Sequence, residues 1–554
     1  MILLRKAAHV MSENLISGFS PPPGKLLKLI TILCFGFSLS VAATAQATTY
    51  YIAPNGNNSN SGTSAAPWLT FAYAIPRLNP GDTLFLKDGE YNRNTTGMVA
   101  VNCPNAGRNG TPSAPITIQA ENERRAWLRG DGTIAILDIQ SCSYWNIVGL
   151  RASNEDRDGG SDVFFGAFNS NHINFRRNLL SNSNRRARNQ SMITYNGTQY
   201  GLIEENELYN YTRHGFLLAN SPNIVVRRNY ANSRDYPSLG AVEGIPASGN
   251  NGGDSLVAVY PGSNNLIENN ISERNASGFS IQADGNDDER LTVNNRFYGN
   301  ISLRDGATGA LRIRTRGNTI QGMAQNTHME NQVVIDSIGY GGDFRANKNT
   351  TVTNTSIFNS DGYGFIAHAP ERVGDGSSTM AIRNSLAVGN SLHGFGVVDY
   401  SAFSVTASNS FSNGTNYSPA SLANGNRSVD PGLGSCKVFI PDGSPMKNAG
   451  ADGGDIGANI LCRYENGVLT QTQLWDWSTG QFPCGVRIAG VNDIAGDSCF
   501  DVHRRLNVNT NGCNLPATPS CRQPAPPPPA GGGGGGSVPP ILRGPDGEVC
   551  PSGF

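Results

Sequence analysis

Between Asn171 and Asn409 the chain repeats one pattern of apolar and polar positions. A short β-rich run closes on Asn in INFRRN (Ile173 to Asn178), LIEEN (Leu202 to Asn206), IVVRRN (Ile224 to Asn229), LIENN (Leu266 to Asn270), AIRN (Ala381 to Asn384) and VTASN (Val405 to Asn409). A second phrase follows most of these: a polar turn, a Gly and a new apolar run, as in RHGFLL at Arg213, ASGFSI at Ala276, ATGALRI at Ala307, YGFIA at Tyr363 and HGFGVV at His393. One such unit cannot bury its apolar side alone, and stacked units can. The pattern therefore predicts a solenoid of short strands. Asn suits the corners because it tolerates the left-handed backbone region. The uneven spacing, roughly 20 to 40 residues, fits a parallel β-helix with loops of varied length. Nothing in the stretch has the 3.6 period of helical repeats.

Strand alternation then sorts side chains. Asp254 to Tyr260, Phe279 to Asp284, Ala310 to Arg316 and Phe365 to His368 are expected to share one sheet. Period two sends Leu311 and Ile313 inward and Arg312, Arg314 and Arg316 outward. Arg176, Glu204, Arg227 and Glu268, each two before a repeat Asn, would alternate in sign up another face as a structural charge ladder. Before the repeats, Leu69 to Leu78 reads as a short amphipathic helix that caps the first coil. Two excursions, Ser233 to Gly253 and Asn318 to Glu330, are long enough to wall a cleft.

Composition sharpens this picture. The 554 residues include 66 Gly and only 15% charged residues, which suits many short strands with many corners. Lys and Arg total 42 against 43 for Asp and Glu, so no polyanion-binding character is visible and nucleic acid is not an expected partner. Lys25, Lys28, the apolar run Leu29 to Val41 and Ala45-Gln46-Ala47 read as a signal peptide, residues 1–47, cleaved after Ala47. The expected location is secreted, extracellular or cell-surface, or periplasmic, with no integral membrane segment after cleavage. The competing reading, a membrane anchor, needs a longer run. Nine cysteines follow Cys34 and cluster toward the C-terminus, as disulfides would in an exported chain. The expected organisation is a β-helix domain over 48–460, a disulfide-rich appendage over 461–522 and a Pro/Gly-rich flexible tail over 523–554, the whole a monomer.

Several stretches carry a resemblance to a known group. PGDTLFLKDGEY at Pro80, APITIQA at Ala114, YWNIVGL at Tyr144, VDPGL at Val429, GSPMKNAG at Gly443 and GDIGA at Gly454 resemble secreted right-handed parallel β-helix proteins of the pectate-lyase-like superfamily. The pectate lyase family nine and the alginate lyase/chondroitinase B family look nearest. The resemblance implies an all-β, right-handed parallel β-helix and a polysaccharide partner, cleaved by β-elimination beside a uronate carboxylate. It also implies Ca²⁺. Asp254 falls where one calcium-binding Asp of family nine would be, but Ala276, Ser277 and Ser280 stand where its further Asp residues would be. Asp254, Asp284 and Asp287, with Asp288 beside them, are the candidate Ca²⁺ ligands, and a plain polar turn is the competing reading of the last three.

The family's Lys base has no clear counterpart. Beyond the leader the only lysines are Lys87, Lys348, Lys437 and Lys447, and Lys348 reads as part of a polar turn. Arg314 is then the expected base, with Arg312 beside it, and Arg316, Gln282, His368 and Tyr260 are the expected substrate contacts. Arg213-His214-Gly215 matches a tripeptide of alginate lyases, yet it occupies the generic corner position, so His214 is read as a turn residue. Two classes stay open: a lyase on an acidic polysaccharide, and a non-catalytic glycan-binding or structural surface protein.

Overall fold

The computed structural model describes residues 47–105, 108–155, 160–161, 163–184, 190–233, 255–306 apart from 285–290, 308–316, 323–368, 378–398, 400, 402–484, 501–509 and 513–516, with the backbone of 542–543 and 549–550. The signal-peptide expectation, Asp254, Asp287 and Asp288 lie outside these residues, as do nearly all of the first long excursion and residues 318–322 of the second, whose remainder forms the short strands Ala324–Gln325 and His328–Glu330.

Three long sheets run the length of the molecule. The first has 13 strands, from Thr49–Ile52 to Ala402–Thr406, and contains every Asn-closed repeat run. The second has 12 strands of three to five residues, from Gly89–Asn92 to Asn409–Phe411. The third also has 12, from Val99–Asn102 to Thr415–Ser418, and holds the Gly-containing phrases. All pairing within them is parallel, each strand bonding its counterpart one coil away, as Asn174↔Leu202↔Val225↔Leu266 shows. This is the right-handed parallel β-helix expected. Alternate residues point inward to one continuous core that includes Ile147, Phe175, Ile203, Val226, Ile267, Phe297, Met329 and Val352. A fully buried Ile, Leu or Phe contributes about 1.5–3 kcal/mol. The cap also forms: Thr70 accepts from the Tyr73 amide at the start of Phe71–Ala74, a single 3-10 turn Ile75–Arg77 follows, and Phe71, Ala74, Ile75 and Leu78 are buried.

The repeat Asn does a different job from the one expected. The left-handed residue at the first-to-second-sheet corner is the one before it: Arg177, Glu205, Arg228 and Asn269 have φ of 57°, 55°, 52° and 54°. The repeat Asn itself turns inward. Asn178 Nδ2 donates to Asn206 Oδ1 at 3.0 Å, Asn206 to Asn229 at 3.0 Å, Asn229 to Asn270 at 2.9 Å and Asn270 to Asn300 at 3.0 Å. Each also binds a backbone carbonyl of the preceding coil, as Asn229 does with Ile203 at 2.9 Å. Only a side chain with both a donor and an acceptor can continue such a ladder and satisfy corner amides that the sheets leave unpaired. Near the C-terminal end Gln332, Thr355, Ser385 and Ser408 take over the position.

The charge ladder is present in the expected register. Arg176 and Arg227 each reach Glu204 at 2.6 Å, and Arg227 lies 3.8 Å from Glu268. A second ladder of left-handed residues runs beside it, with Glu205 held by Arg177 at 3.3 Å and by Arg228 at 3.1 Å. Both ladders are roofed over. After the last coil the chain doubles back along the second sheet, against the stacking direction. Ala451 N donates to Asn384, Ala458 N to Ser356, Asn459 N to Asn331, and Tyr464 N to Asn269. Glu465 meets Arg227 at 2.9 Å and Arg228 at 2.8 Å, and the Asn466 and Gly467 amides bind Glu268. Farther back, the Cys484 carbonyl accepts from buried Arg124, which also pairs with buried Glu207. Leu433, Val438, Ile440, Ile460 and Trp475 of this returning strap form a second core with Leu179, Tyr230, Ile271, Ile301 and Val333 of the second sheet. Cys436–Cys513 staples the strap, Cys462 and Cys484 are also disulfide-bonded, and Cys103–Cys142 ties two early coils together.

Candidate functional site

With the second sheet under the strap, the first and third sheets keep accessible outer side chains, and the third carries the expected residues. The four strands expected to share a sheet do so. They are Ser255–Tyr260, Ser277–Asp284, Leu311–Arg316 and Phe365–His368. Gly342–Arg345 is inserted between the last two. Register sets two outward rows. One runs Ala258, Ser280, Arg312, Asp343, Ile366, and the other places Gln282, Arg314, Arg345 and His368 on successive rungs. Parallel strands lie about 4.8 Å apart; Ala258, Ser280, Asp343 and Ile366 of the first row are buried, while Arg312 and the second row are half-buried, one side chain per rung.

Asp343 is the centre of the rows. Its side chain is 1% exposed, Arg345 Nε lies 3.0 Å from its Oδ1 and 3.0 Å from its Oδ2, and His368 Nε2 lies 3.5 Å from Oδ1. Arg312 is its cross-strand neighbour and also reaches Thr308 Oγ1 at 3.3 Å. Burial lowers the pKa of the His368 imidazole; Asp343 opposes this, and Arg345 adds to it. At the strand entries Tyr340, Tyr363 and His393 form a half-buried aromatic group. Tyr340 and Tyr363 have centroids 5.3 Å apart, Tyr363 and His393 5.1 Å, and Tyr363 meets His368 edge-on at 6.4 Å. Guanidinium groups beside rings suit a ligand with carboxylates and apolar sugar faces.

The structure thus brings Arg312, Arg314, Gln282 and His368 onto one face. Asp284 and Arg316 are register partners at its edge, and only their backbones are described. Tyr260 is on the same sheet but packs edge-on against His214 at 5.3 Å. His214 is not a turn residue: it opens the strand His214–Ala219, is fully buried and has Nδ1 3.1 Å from Ser255 Oγ. Lys348 is not in a turn either, but in the two-residue strand Asn347–Lys348 beside Ala324–Gln325. Sequence reasoning missed Asp343, Arg345, Tyr340 and Tyr363. Their signal was Asp343-Phe344-Arg345, the same polar–apolar–polar alternation as Arg312-Ile313-Arg314, in a run whose glycines disguised the strand. Among the described residues no group of three His, Cys, Asp or Glu side chains could hold a metal.

Residues 50–215 match the family described as Pel9A-like, right handed beta helix region. Pectate lyase L of Dickeya dadantii is 39% identical over 77 residues, 14% of this chain and 18% of that protein. Pectate lyase L of Dickeya chrysanthemi is 36% identical over the same length and shares. The match spans less than a fifth of either relative. Among solved structures, pectate lyase Pel9A is similar with a TM-score of 0.39 and 20% identity, covering 74% of this chain and 95% of that one. The A-module of mannuronan C-5 epimerase AlgE6 of Azotobacter vinelandii has a TM-score of 0.41 and 11% identity over 63% of this chain and 91% of that one. The chain resembles the pectate-lyase-like right-handed parallel β-helices, with the family match lying within residues 50–215.

Proposed function

We propose that the third-sheet face binds an acidic, uronate-containing polysaccharide and cleaves it by β-elimination. The observation that carries this reading is the row Arg314, Arg345, His368 flanked by Arg312 and Asp343. Arg312, Arg314 and Arg345 neutralise a uronate carboxylate, which acidifies the neighbouring C5 proton. A base removes that proton, the C4–O4 bond breaks with its electron pair on O4, which takes a proton from water, and a C4=C5 double bond remains. The base is His368 in place of Arg314: an imidazole held below its ordinary value is neutral and accepting at neutral pH, whereas a guanidinium keeps its proton. Asp343 orients Arg345 and His368, and Tyr340 and Tyr363 carry sugar rings. A Ca²⁺ ion held by Asp254, Asp284 and Asp287 would add positive charge to help neutralise a uronate carboxylate.

The test is ultraviolet absorbance of unsaturated uronate on incubation with pectate, alginate, glycosaminoglycans and rhamnogalacturonan, with and without Ca²⁺. A rise on one of them that His368→Ala cuts by about 10²-fold or more is expected. A flat trace on every uronate, from folded protein, overturns the reading.

A further inference from the structure

A second feature lies on the same sheet, toward the N-terminal coils. Asp138 and Gln140 alternate outward from Leu137–Gln140, whose Leu137 and Ile139 enter the core. On the next rung Phe168 is the register partner of Gln140, and Gly166 of Asp138. Gly166 has no side chain for a reason: a Cβ there would lie 2.5 Å from the Phe168 ring and 2.8 Å from Val163 Cγ1. Its absence lets the ring fold down over the strand. Asp138, Gln140, Phe168, Ser161 and Ile134 line a shallow cavity of about 530 Å³, within the usual range for ligand pockets.

The polar groups in this cavity are prearranged and incomplete. Gln140 Nε2 donates to Asp138 Oδ2 at 2.7 Å. Asp138 Oδ1 is buried and has no hydrogen-bond partner among the described residues. Burial raises the Asp138 pKa, against the hydrogen bond from Gln140. A buried acceptor without a donor is costly, and a ligand hydroxyl removes that cost. Among the described residues no Lys or Arg lines the cavity, so none of them would offset an anionic sugar beside Asp138. The grip is that of a hydroxyl-rich neutral ring: a carboxyl and an amide for adjacent hydroxyls, and an aromatic face for the C–H side.

We propose that this cavity is a subsite for a neutral saccharide unit, separate from the cationic rows. Six rungs part Asp138 from Arg312 on the sheet, roughly 30 Å at about 4.8 Å per rung. The site rests on its own residues. It deepens the lyase reading only in placing a neutral stretch or side branch of the same polymer there.

Isothermal titration of the full chain with cellohexaose, xylohexaose, galactohexaose and hexagalacturonate tests it. At least one neutral hexaose binds, Phe168→Ala and Gln140→Ala each weaken it tenfold or more, and Arg345→Ala leaves it unchanged. Gln140 is exposed, so its variant keeps the test open if Phe168→Ala fails to fold. Failure of all neutral hexaoses to bind overturns the proposal, as does equal loss in Arg345→Ala. Uronate elimination is scored in parallel, so that neutral binding without elimination sinks only the lyase reading, and elimination without neutral binding sinks only this one.

Discussion

Replacing Asn229 by Leu tests the buried amide ladder directly. The side chain is fully buried and its backbone is not left-handed, so Leu introduces no backbone strain. Asn229 Oδ1 accepts from the Asn206 amide at 2.8 Å, and its Nδ2 donates to the Ile203 carbonyl at 2.9 Å. Both backbone groups lose that partner. The neighbouring side chains keep others: Asn206 Nδ2 still reaches the Phe175 carbonyl at 2.9 Å, and Asn270 Oδ1 still accepts from the residue 229 amide at 3.0 Å. Two stranded groups at about 1–3 kcal/mol each give a loss of about 2–6 kcal/mol. The matched control is Asn294→Gly. Asn294 belongs to an exposed Asn ladder, reaching Asn264 at 3.1 Å, and has φ of 59°, which Gly adopts freely. Its loss is within about 0.5 kcal/mol, because water replaces the bond. Urea unfolding of both variants measures the difference. A loss under about 1 kcal/mol for Asn229→Leu refutes the idea that the repeat Asn is there to satisfy buried corners.

Three further outcomes follow from the strap, the first coils and the charge ladder. Glu465→Ala removes the outer carboxylate from Arg227 and Arg228; with Glu465 28% exposed, the cost is about 1–3 kcal/mol, read as faster limited proteolysis after residue 433. An unchanged cleavage rate counts against the strap being held there. Replacing Cys103 and Cys142 by Ser opens a link of 39 residues and lowers stability by about 4 kcal/mol, with hydrogen exchange rising first in the early coils. For Glu204, burial alone would raise its pKa, but Arg227, Arg228 and Arg176 outweigh it and lower it. A carboxyl with a lowered folded pKa stabilises above its unfolded value, about 4.3, and that stability is lost as pH falls through the folded value. Urea midpoints therefore hold from neutral pH down to that range and fall below it, and Glu204→Gln flattens the fall.

The solenoid was legible because it is written locally. Apolar runs, glycines and corner residues recur, and alternation alone places Ile313 inside and Arg314 outside. The meaning of the repeat Asn was not, because the same letter serves at two adjacent positions. In LIENN, Asn269 is the left-handed residue and Asn270 the ladder rung, and in AIRN the last Asn, Asn384, is the left-handed one. The site was half legible. Arg312, Arg314 and His368 declare themselves by alternation, while Asp343 and Arg345 matter only through register across strands 31 residues apart, as in Arg312↔Asp343. The strap was the least readable part. Its contacts join residues 67 to 360 apart, as in Ala451 with Asn384 and Arg124 with Cys484, and no window of sequence spans such distances.

The returning strap also has a consequence for assembly. Coils stacked from the N-terminus can bury their interior as they are made, since each touches only its neighbours. The outside of the second sheet cannot be covered then, because Leu433 to Cys513 are synthesised after every coil. Until they arrive, Leu179, Tyr230, Ile271, Ile301 and Val333 form a bare apolar stripe along the growing rod. The returning segment depends on the number and register of the coils. It fits only when its partners from Arg124 to Asn384 stand at the right spacing, so a chain with a coil missing or slipped keeps its stripe exposed to proteases and chaperones.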